Sequence, residues 1–278
     1  MALPELAELE GARKRDFPAE VALQLATLQA QPPPMGEEWL HEIKHDGYRF
    51  LIYKDQQQVR LLTRGQKDWS KHFPHLVRAG AQLPVHRAVL DGEVVVIDER
   101  GRSSFQRLQK ALKGKGEETV FYAFDLLYCG DYDLREVPLI RRKAVLAELI
   151  RDGGDGLRFS DHIAGQGEAV LEQACQLGCE GIVSKRADGL YWGKRTRDWL
   201  KCKCLQSDEF VVVGYTQPKG SRHGFGSLVL AQPGEDGLSY CGRVGTGFNE
   251  ASLSKITRQL EALHSSHAPP FKIGRASC

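Results

Sequence analysis

Between Trp39 and Tyr128 the chain strings together five short apolar-rich segments, WLHEIK, YRFLIY, VRLLT, AVLDGEVVVI and TVFYAFDLLY, separated by breaks bearing Gly, Asp or Gln. β-Branched and aromatic residues dominate each segment, which is strand composition. Helical patterns interrupt them irregularly, at residues 67–79, 104–112, 139–151 and 166–177. A parallel sheet needs a long crossover between strands, usually a helix, and this order does not supply one regularly. The expectation is an α+β fold of largely antiparallel sheets with flanking helices.

The pattern changes after WLKCKCLQSDE. The stretch FVVVGYTQPKGSRHGFGSLVLAQPGEDGLSYCGRVGTG carries three short strands between Gly- and Pro-containing turns, which is small-barrel patterning. EASLSKITRQLEALH then sets Leu253, Ile256, Leu260 and Leu263 at helical spacing. Three parts are expected: residues 1–38 as a lead-in or linker packed on the next domain, 39–205 as the main domain, and 206–278 as a small β domain beyond a hinge at LQSD. A chain of 278 residues is long enough for two ordinary domains.

A formal net charge of +2 leaves nucleic-acid binding to local basic patches. No run of about 18 apolar residues occurs and the first residues lack a signal-peptide pattern, so no membrane role is expected. Seven cysteines in no small-scaffold spacing point to a reduced, cytoplasmic protein. Cys202 and Cys204 as zinc ligands, with Cys175 and Cys179, is the other reading, although the spacing matches no familiar ribbon or finger.

Candidate chemistry centres on HEIKHDGYRF, where Lys44 ends a strand and Asp46, Gly47 and Arg49 follow at once. A lysine on a strand ordinarily faces solvent. Here further charged strings sit against apolar strands downstream: LDGEVVV with Asp91 and Glu93, YAFDLLY with Phe124 and Asp125, CEGIVSKR with Glu180, and WLKCKC. In the last, alternation puts Lys201 and Lys203 on one face and the cysteines on the other.

The order K-x-D-G-x-R, D-G-E, F-D, E-G-I-V, W-L-K-x-K resembles the covalent nucleotidyltransferases, the family of ATP-dependent DNA ligases and capping enzymes. WLHEIKHDGYRF, TRGQKDWSKHFP, GYTQPKGSRHGFGSLVLA and GRVGTGF are most similar to ligase domains of the bacterial DNA ligase D type, from about Leu25 to Phe271. That resemblance implies an adenylyltransferase domain over 39–205 and a truncated OB-fold barrel over 206–278, without the closing basic motif that orients pyrophosphate.

The same resemblance implies the roles. Lys44 is the nucleophile that takes AMP from ATP, with Lys201 and Lys203 neutralising phosphate charge. Glu42 contacts adenine, Phe124 stacks on it, and Arg49 and Glu93 bind the ribose and orient the nucleotide. Glu180, with Asp46 as second candidate, binds Mg2+ or Mn2+. Arg64, Lys67, Arg195, Arg197, Lys219 and Arg222 are the DNA-binding candidates.

The implied activity is sealing of 3'-hydroxyl/5'-phosphate breaks through a lysine–AMP and a DNA–adenylate. The implied partners are nicked or broken double-stranded DNA, then the Ku end-binding protein and linked polymerase and phosphoesterase domains. A nucleoid-associated monomer is expected. An RNA ligase or capping-type enzyme, and a truncated DNA-end binding module with weak self-adenylylation, are the alternatives.

Overall fold

A computed structural model describes residues 5–33, 36–114, 116, 118–151, 156–204, 210–218, 223–234 and 237–263. Contacts divide the chain into two units, Met1–Leu205 and Gln206–Cys278.

In the first unit, β1 (Arg13–Lys14) and β2 (Leu25–Leu28) precede β3 (Trp39–Ile43), β4 (Tyr48–Asp55), β5 (Gln58–Thr63), α1 (Pro74–Ala81), β6 (Arg87–Val96), α2 (Phe105–Ala111) and β7 (Thr119–Cys129). Then come β8 (Tyr132–Asp133), α3 (Leu139–Leu149), β9 (Leu157–Phe159), β10 (Ile163–Ala164), α4 (Gly167–Gln176), β11 (Gly181–Arg186) and β12 (Arg195–Lys203). One sheet runs β1-β8-β7-β6-β4-β5, with β9 added beside β7; the other runs β10-β3-β11-β12-β2. Pairing is antiparallel except for β7 with β9 and β12 with β2.

Alternation along the strands builds the layers. Phe50 and Ile52 of β4 join Leu76 of α1, Leu108 of α2 and Val145, Leu146 and Leu149 of α3 in the largest core, on the outer face of the first sheet. Their neighbours Leu51 and Tyr53 point the other way, into a second core shared with Trp199 of the second sheet and Tyr191 of the loop before β12. On the far face of that sheet α4 packs through Ala174 onto Ile182 and Cys202. The ends of the layer between the two sheets that are not filled by this core are free to form a cleft.

Residues 1–38 are more than a lead-in. Arg13–Lys14 pairs with β8, and Leu25–Leu28 lies parallel to β12 as a full member of the second sheet. A four-residue segment, LATL, is too short for periodicity to reveal. The thiols also depart from expectation, because Cys175 of α4 is disulfide-bonded to Cys204. Cys129, Cys179, Cys202 and Cys241 are free.

In the second unit β13 (Val211–Tyr215), β14 (Leu228–Gly234) and β15 (Gly237–Val244) form an antiparallel meander, and α5 (Glu250–Ala262) follows. Asn249 caps that helix, accepting from the Ser252 N–H, while Ser252 Oγ accepts from the Asn249 N–H. This reciprocal box satisfies two otherwise unpaired backbone donors. The LQSD hinge and the end of the chain lie outside the described residues.

Candidate active site

A cleft of about 210 Å³ opens between the two sheets of the first unit. The second sheet lines it with Glu42, Val183, Lys185, Trp199 and Lys201, the first with Arg49, Glu93 and Phe124, and Lys44 and His45 sit where β3 ends. Strand register explains the convergence. The Lys44 N–H continues the ladder to the Gly181 carbonyl at 2.9 Å, which brings Lys44 beside Glu180, and Gly181 in turn pairs with Lys203.

Lys44 Nζ donates to Glu180 Oε2 at 2.5 Å, and Lys203 Nζ lies 2.9 Å from Glu180 Oε1. Burial pushes the Glu180 carboxyl up, but the hydrogen bonds from Lys44 and Lys203, with their charges, more than reverse this and hold it below the usual carboxylate range. Lys201 is pushed below the usual lysine range by burial and then by the neighbouring Lys44, Lys203 and Arg195 charges. The three amines thus share one electrostatic neighbourhood.

Gly47 lets the turn after Lys44 close. A Cβ there would lie 2.3 Å from the Val94 carbonyl oxygen, while the Gly47 N–H donates to Glu93 Oε1 at 3.2 Å. Burial pushes Glu93 up to about 7, against the pull of Lys44, Arg49 and that N–H, and Glu180 adds to the rise. Asp46 stands elsewhere: its Oδ2 accepts the Phe105 N–H at 3.2 Å and its own N–H donates to Ser103 Oγ at 2.8 Å, so it anchors the start of α2. Glu93 is a carboxylate on which the Glu180 charge acts. Among the described residues no group of three or more His, Cys, Asp or Glu side chains is placed to hold a metal.

Also lining the cleft, Phe124 meets Trp199 edge-on, centroids 5.9 Å apart. Lys185 Nζ lies 4.2 Å from the Phe124 centroid and the Arg49 guanidinium 5.2 Å, cation–π distances. Arg49 is not free to reach a ribose with its whole fork, since Nε and Nη2 bind Asp91 at 2.9 and 2.6 Å and Nη1 donates to the Gln24 carbonyl at 2.7 Å. Glu42 lines the cleft, yet its carboxylate already accepts from Lys143, Lys185 and Ser160. His45 stacks on Tyr122 at 4.2 Å and burial pushes it down to about 4, so its ring is neutral.

Behind this wall two fully buried carboxylates, Asp91 and Asp125, face each other across β6 and β7 at a register shift. Each needs its own cation, and Arg49 serves Asp91 while Arg142 of α3 grips Asp125 through Nε and Nη2 at 2.7 and 2.8 Å. The basic candidates separate. Arg64 and Arg195 line the cleft, Arg195 donating to the Ala26 carbonyl, whereas Arg197 lines a hollow of about 450 Å³ with Trp39 and Trp192. Lys67 is exposed in the turn after β5. Lys219 and Arg222 lie outside the described residues.

Sequence reading missed Lys143, Lys185, Trp199 and Arg142. The available signal was in LIRRKAVLAELI, where Arg142 and Lys143 occupy the same helical face as Leu139, Leu146 and Leu149, positions that face a core.

Known proteins resemble this chain in sequence and fold. The family model for the ATP dependent DNA ligase domain matches residues 24–203, and that for the ATP dependent DNA ligase C terminal region matches 221–277. The multifunctional non-homologous end joining protein LigD of Pseudomonas aeruginosa is 45% identical over 266 residues, 94% of this chain and 31% of that protein. Its namesake from Mycolicibacterium smegmatis is 36% identical over 92% of this chain and 34% of its own length. The chain thus spans about a third of these relatives. A solved structure described as mycobacterial DNA ligase D complexed with ATP and MES superposes with a TM-score of 0.63 at 32% identity, covering 92% of this chain and 84% of that one.

Proposed function

The chain belongs to the ATP-dependent DNA ligase family, and from that premise we propose that it seals 3'-hydroxyl/5'-phosphate breaks in duplex DNA through an AMP carried on Lys44. The observation that carries this reading is the Lys44–Glu180–Lys203 grouping beside a cleft that Lys44 and Phe124 both line.

The cycle has three displacements at phosphorus. In the first, Lys44 Nζ gives up a proton, for which Glu180 is the adjacent acceptor, and its lone pair forms a P–N bond to the α-phosphorus as the P–O bond to pyrophosphate breaks. Glu180, 2.5 Å away, orients that nitrogen, and Lys201 and Lys203 offset charge on the phosphate. In the second, a DNA 5'-phosphate oxygen displaces Lys44 from the AMP. In the third, the adjacent 3'-hydroxyl attacks the DNA phosphate and AMP leaves. Catalysis is chiefly positioning and charge stabilisation.

The donor set suits Mg2+ or Mn2+: Glu93 and Glu180 are hard oxygen donors near one another, and Glu93, pushed up to about 7, gains most from a cation that favours its ionised form. Bound there, the ion would supply charge neutralisation at the phosphates. Arg64 and Arg195 are the phosphate contacts nearest the cleft, with Lys67, Arg197, Lys219 and Arg222 as outer ones. An end-joining role is proposed from the end-joining relatives, while Ku and linked polymerase and phosphoesterase modules as partners, and a nucleoid-associated, cytoplasmic setting, are proposed from the family resemblance of the sequence motifs alone. No helix among the described residues is long and apolar enough to cross a membrane.

Sealing of a labelled nicked duplex with ATP and magnesium tests the reading, alongside duplexes carrying RNA strands. Sealed DNA that vanishes in Lys44→Ala is expected. Undiminished sealing by that variant, or sealing of RNA strands alone, refutes it.

A further inference from the structure

Glu42 is 2% exposed, and a buried carboxylate without partners takes up a proton. Here Lys143 Nζ donates to Oε1 at 2.8 Å, while Lys185 Nζ and Ser160 Oγ donate to Oε2 at 2.9 and 3.0 Å. Burial raises the Glu42 carboxyl, but the charges of Lys143 and then Lys185, with their hydrogen bonds, reverse the shift and hold it below the ordinary range. His45 and His162 are the remaining titratable groups that face it, both pushed down by burial and so neutral; Asp125 acts on Lys185.

The two lysines differ in place. Lys185 lines the cleft against Phe124 and Trp199. Lys143 comes from α3, is absent from the cleft lining, and spends its second hydrogen bond on the Ser160 carbonyl at 2.8 Å. Whatever Lys143 does for a bound nucleotide, it does through Glu42.

We propose that Lys143 is a positioning residue that keeps Glu42 an acceptor-only carboxylate and so sets the preference for adenine over guanine in the base slot. This rests on the reading of Glu42 as the adenine contact. An ionised carboxylate accepts hydrogen bonds and donates none. Adenine presents an amine at its six position and is accepted; guanine presents an oxygen there and meets lone pairs. A protonated carboxyl has an O–H that donates to that oxygen. Removing the Lys143 charge leaves Lys185 alone against the burial of Glu42, moves the carboxyl toward its protonated form and relaxes the discrimination.

The test is self-nucleotidylation with ATP and with GTP, each with magnesium, comparing kcat and KM for the unaltered chain, Lys143→Met, Lys143→Arg and Glu42→Gln, with thermal unfolding of each. Lys143→Met is expected to lower the ATP-to-GTP ratio of kcat/KM by about tenfold or more, chiefly through KM for ATP. Lys143→Arg restores the ratio, and Glu42→Gln lowers it, because an amide donates as well as accepts. Should Lys143→Met fail to fold, Lys143→Gln keeps a donor without the charge and is expected to show the same loss. An unchanged ratio in the Lys143 variants beside a lowered one in Glu42→Gln overturns the role of Lys143 alone. An unchanged ratio in Glu42→Gln removes the base contact itself.

Discussion

Replacing Arg142 by methionine removes a guanidinium while keeping much of its apolar bulk. Arg142 and Asp125 both have fully buried side chains, and Arg142 also donates to the Val137 carbonyl and, at 3.1 Å, to the Gly189 carbonyl. The variant leaves Asp125 ionised without a cation or forces a proton onto it. Loss of one partner of a buried ion pair costs about 3–5 kcal/mol. For a unit of this size each kcal/mol moves Tm by about 2–4 °C, so the midpoint should fall by roughly 6–20 °C. Circular dichroism measures both, the midpoint by thermal unfolding and the cost by urea unfolding, in a cycle with Asp125→Leu and the double variant. Because each single change strands a charge and the double strands none, the cost of the double should fall well below the sum of the singles. KM for ATP should also rise, since Asp125 directly follows Phe124. A cost below about 1 kcal/mol, or simple additivity, would refute the assignment of this pair as the clamp behind the base slot.

Three further outcomes are expected. Glu93 has a folded pKa near 7, above its ordinary value, so the folded state holds a proton that the unfolded state releases first, and its contribution to stability declines as pH rises from about 4.5 to 7. Glu93→Gln should flatten that decline and be more stable at pH 8, by on the order of 3 kcal/mol, while self-adenylylation falls; equal pH slopes for the two proteins would count against it. The Cys175–Cys204 bond closes a separation of 29 residues, so a dithiol reductant should cost about 3–4 kcal/mol, read as a drop in unfolding midpoint; recovery of both cysteines as free thiols from unreduced protein would contradict the bond. Gly47→Ala should destabilise by about 1–3 kcal/mol and impair Lys44 adenylylation, because the added Cβ meets the Val94 carbonyl oxygen; wild-type rates would show that the turn can yield.

Strand composition located the centre of the first sheet and one strand of the second: the five segments from Trp39 to Tyr128 correspond to β3 through β7. The first helix shows where local chemistry defeats periodicity. The 67–79 pattern begins too early, because Asp68 Oδ1 captures the Ser70 N–H and Oγ–H in a turn and Pro74 starts α1. The residues proposed for the chemistry, Lys44, Glu180, Lys201 and Lys203, were visible because each lies in a short charged string on or beside a strand. What supports them was not. Lys143 and Arg142 reach their carboxylates across 101 and 17 positions of sequence, and Cys175 reaches Cys204 across the far face of a sheet, pairings that register decides and spacing does not.

The central claim is that one side-chain nitrogen carries the nucleotide. Intact-mass measurement after incubation with ATP and magnesium, followed by peptide mapping, tests it most directly. The account predicts a gain of a single adenylate, on Lys44, absent from Lys44→Ala and lost on adding nicked duplex. An adenylate on any other residue, or none on a folded protein that still seals DNA, would contradict it.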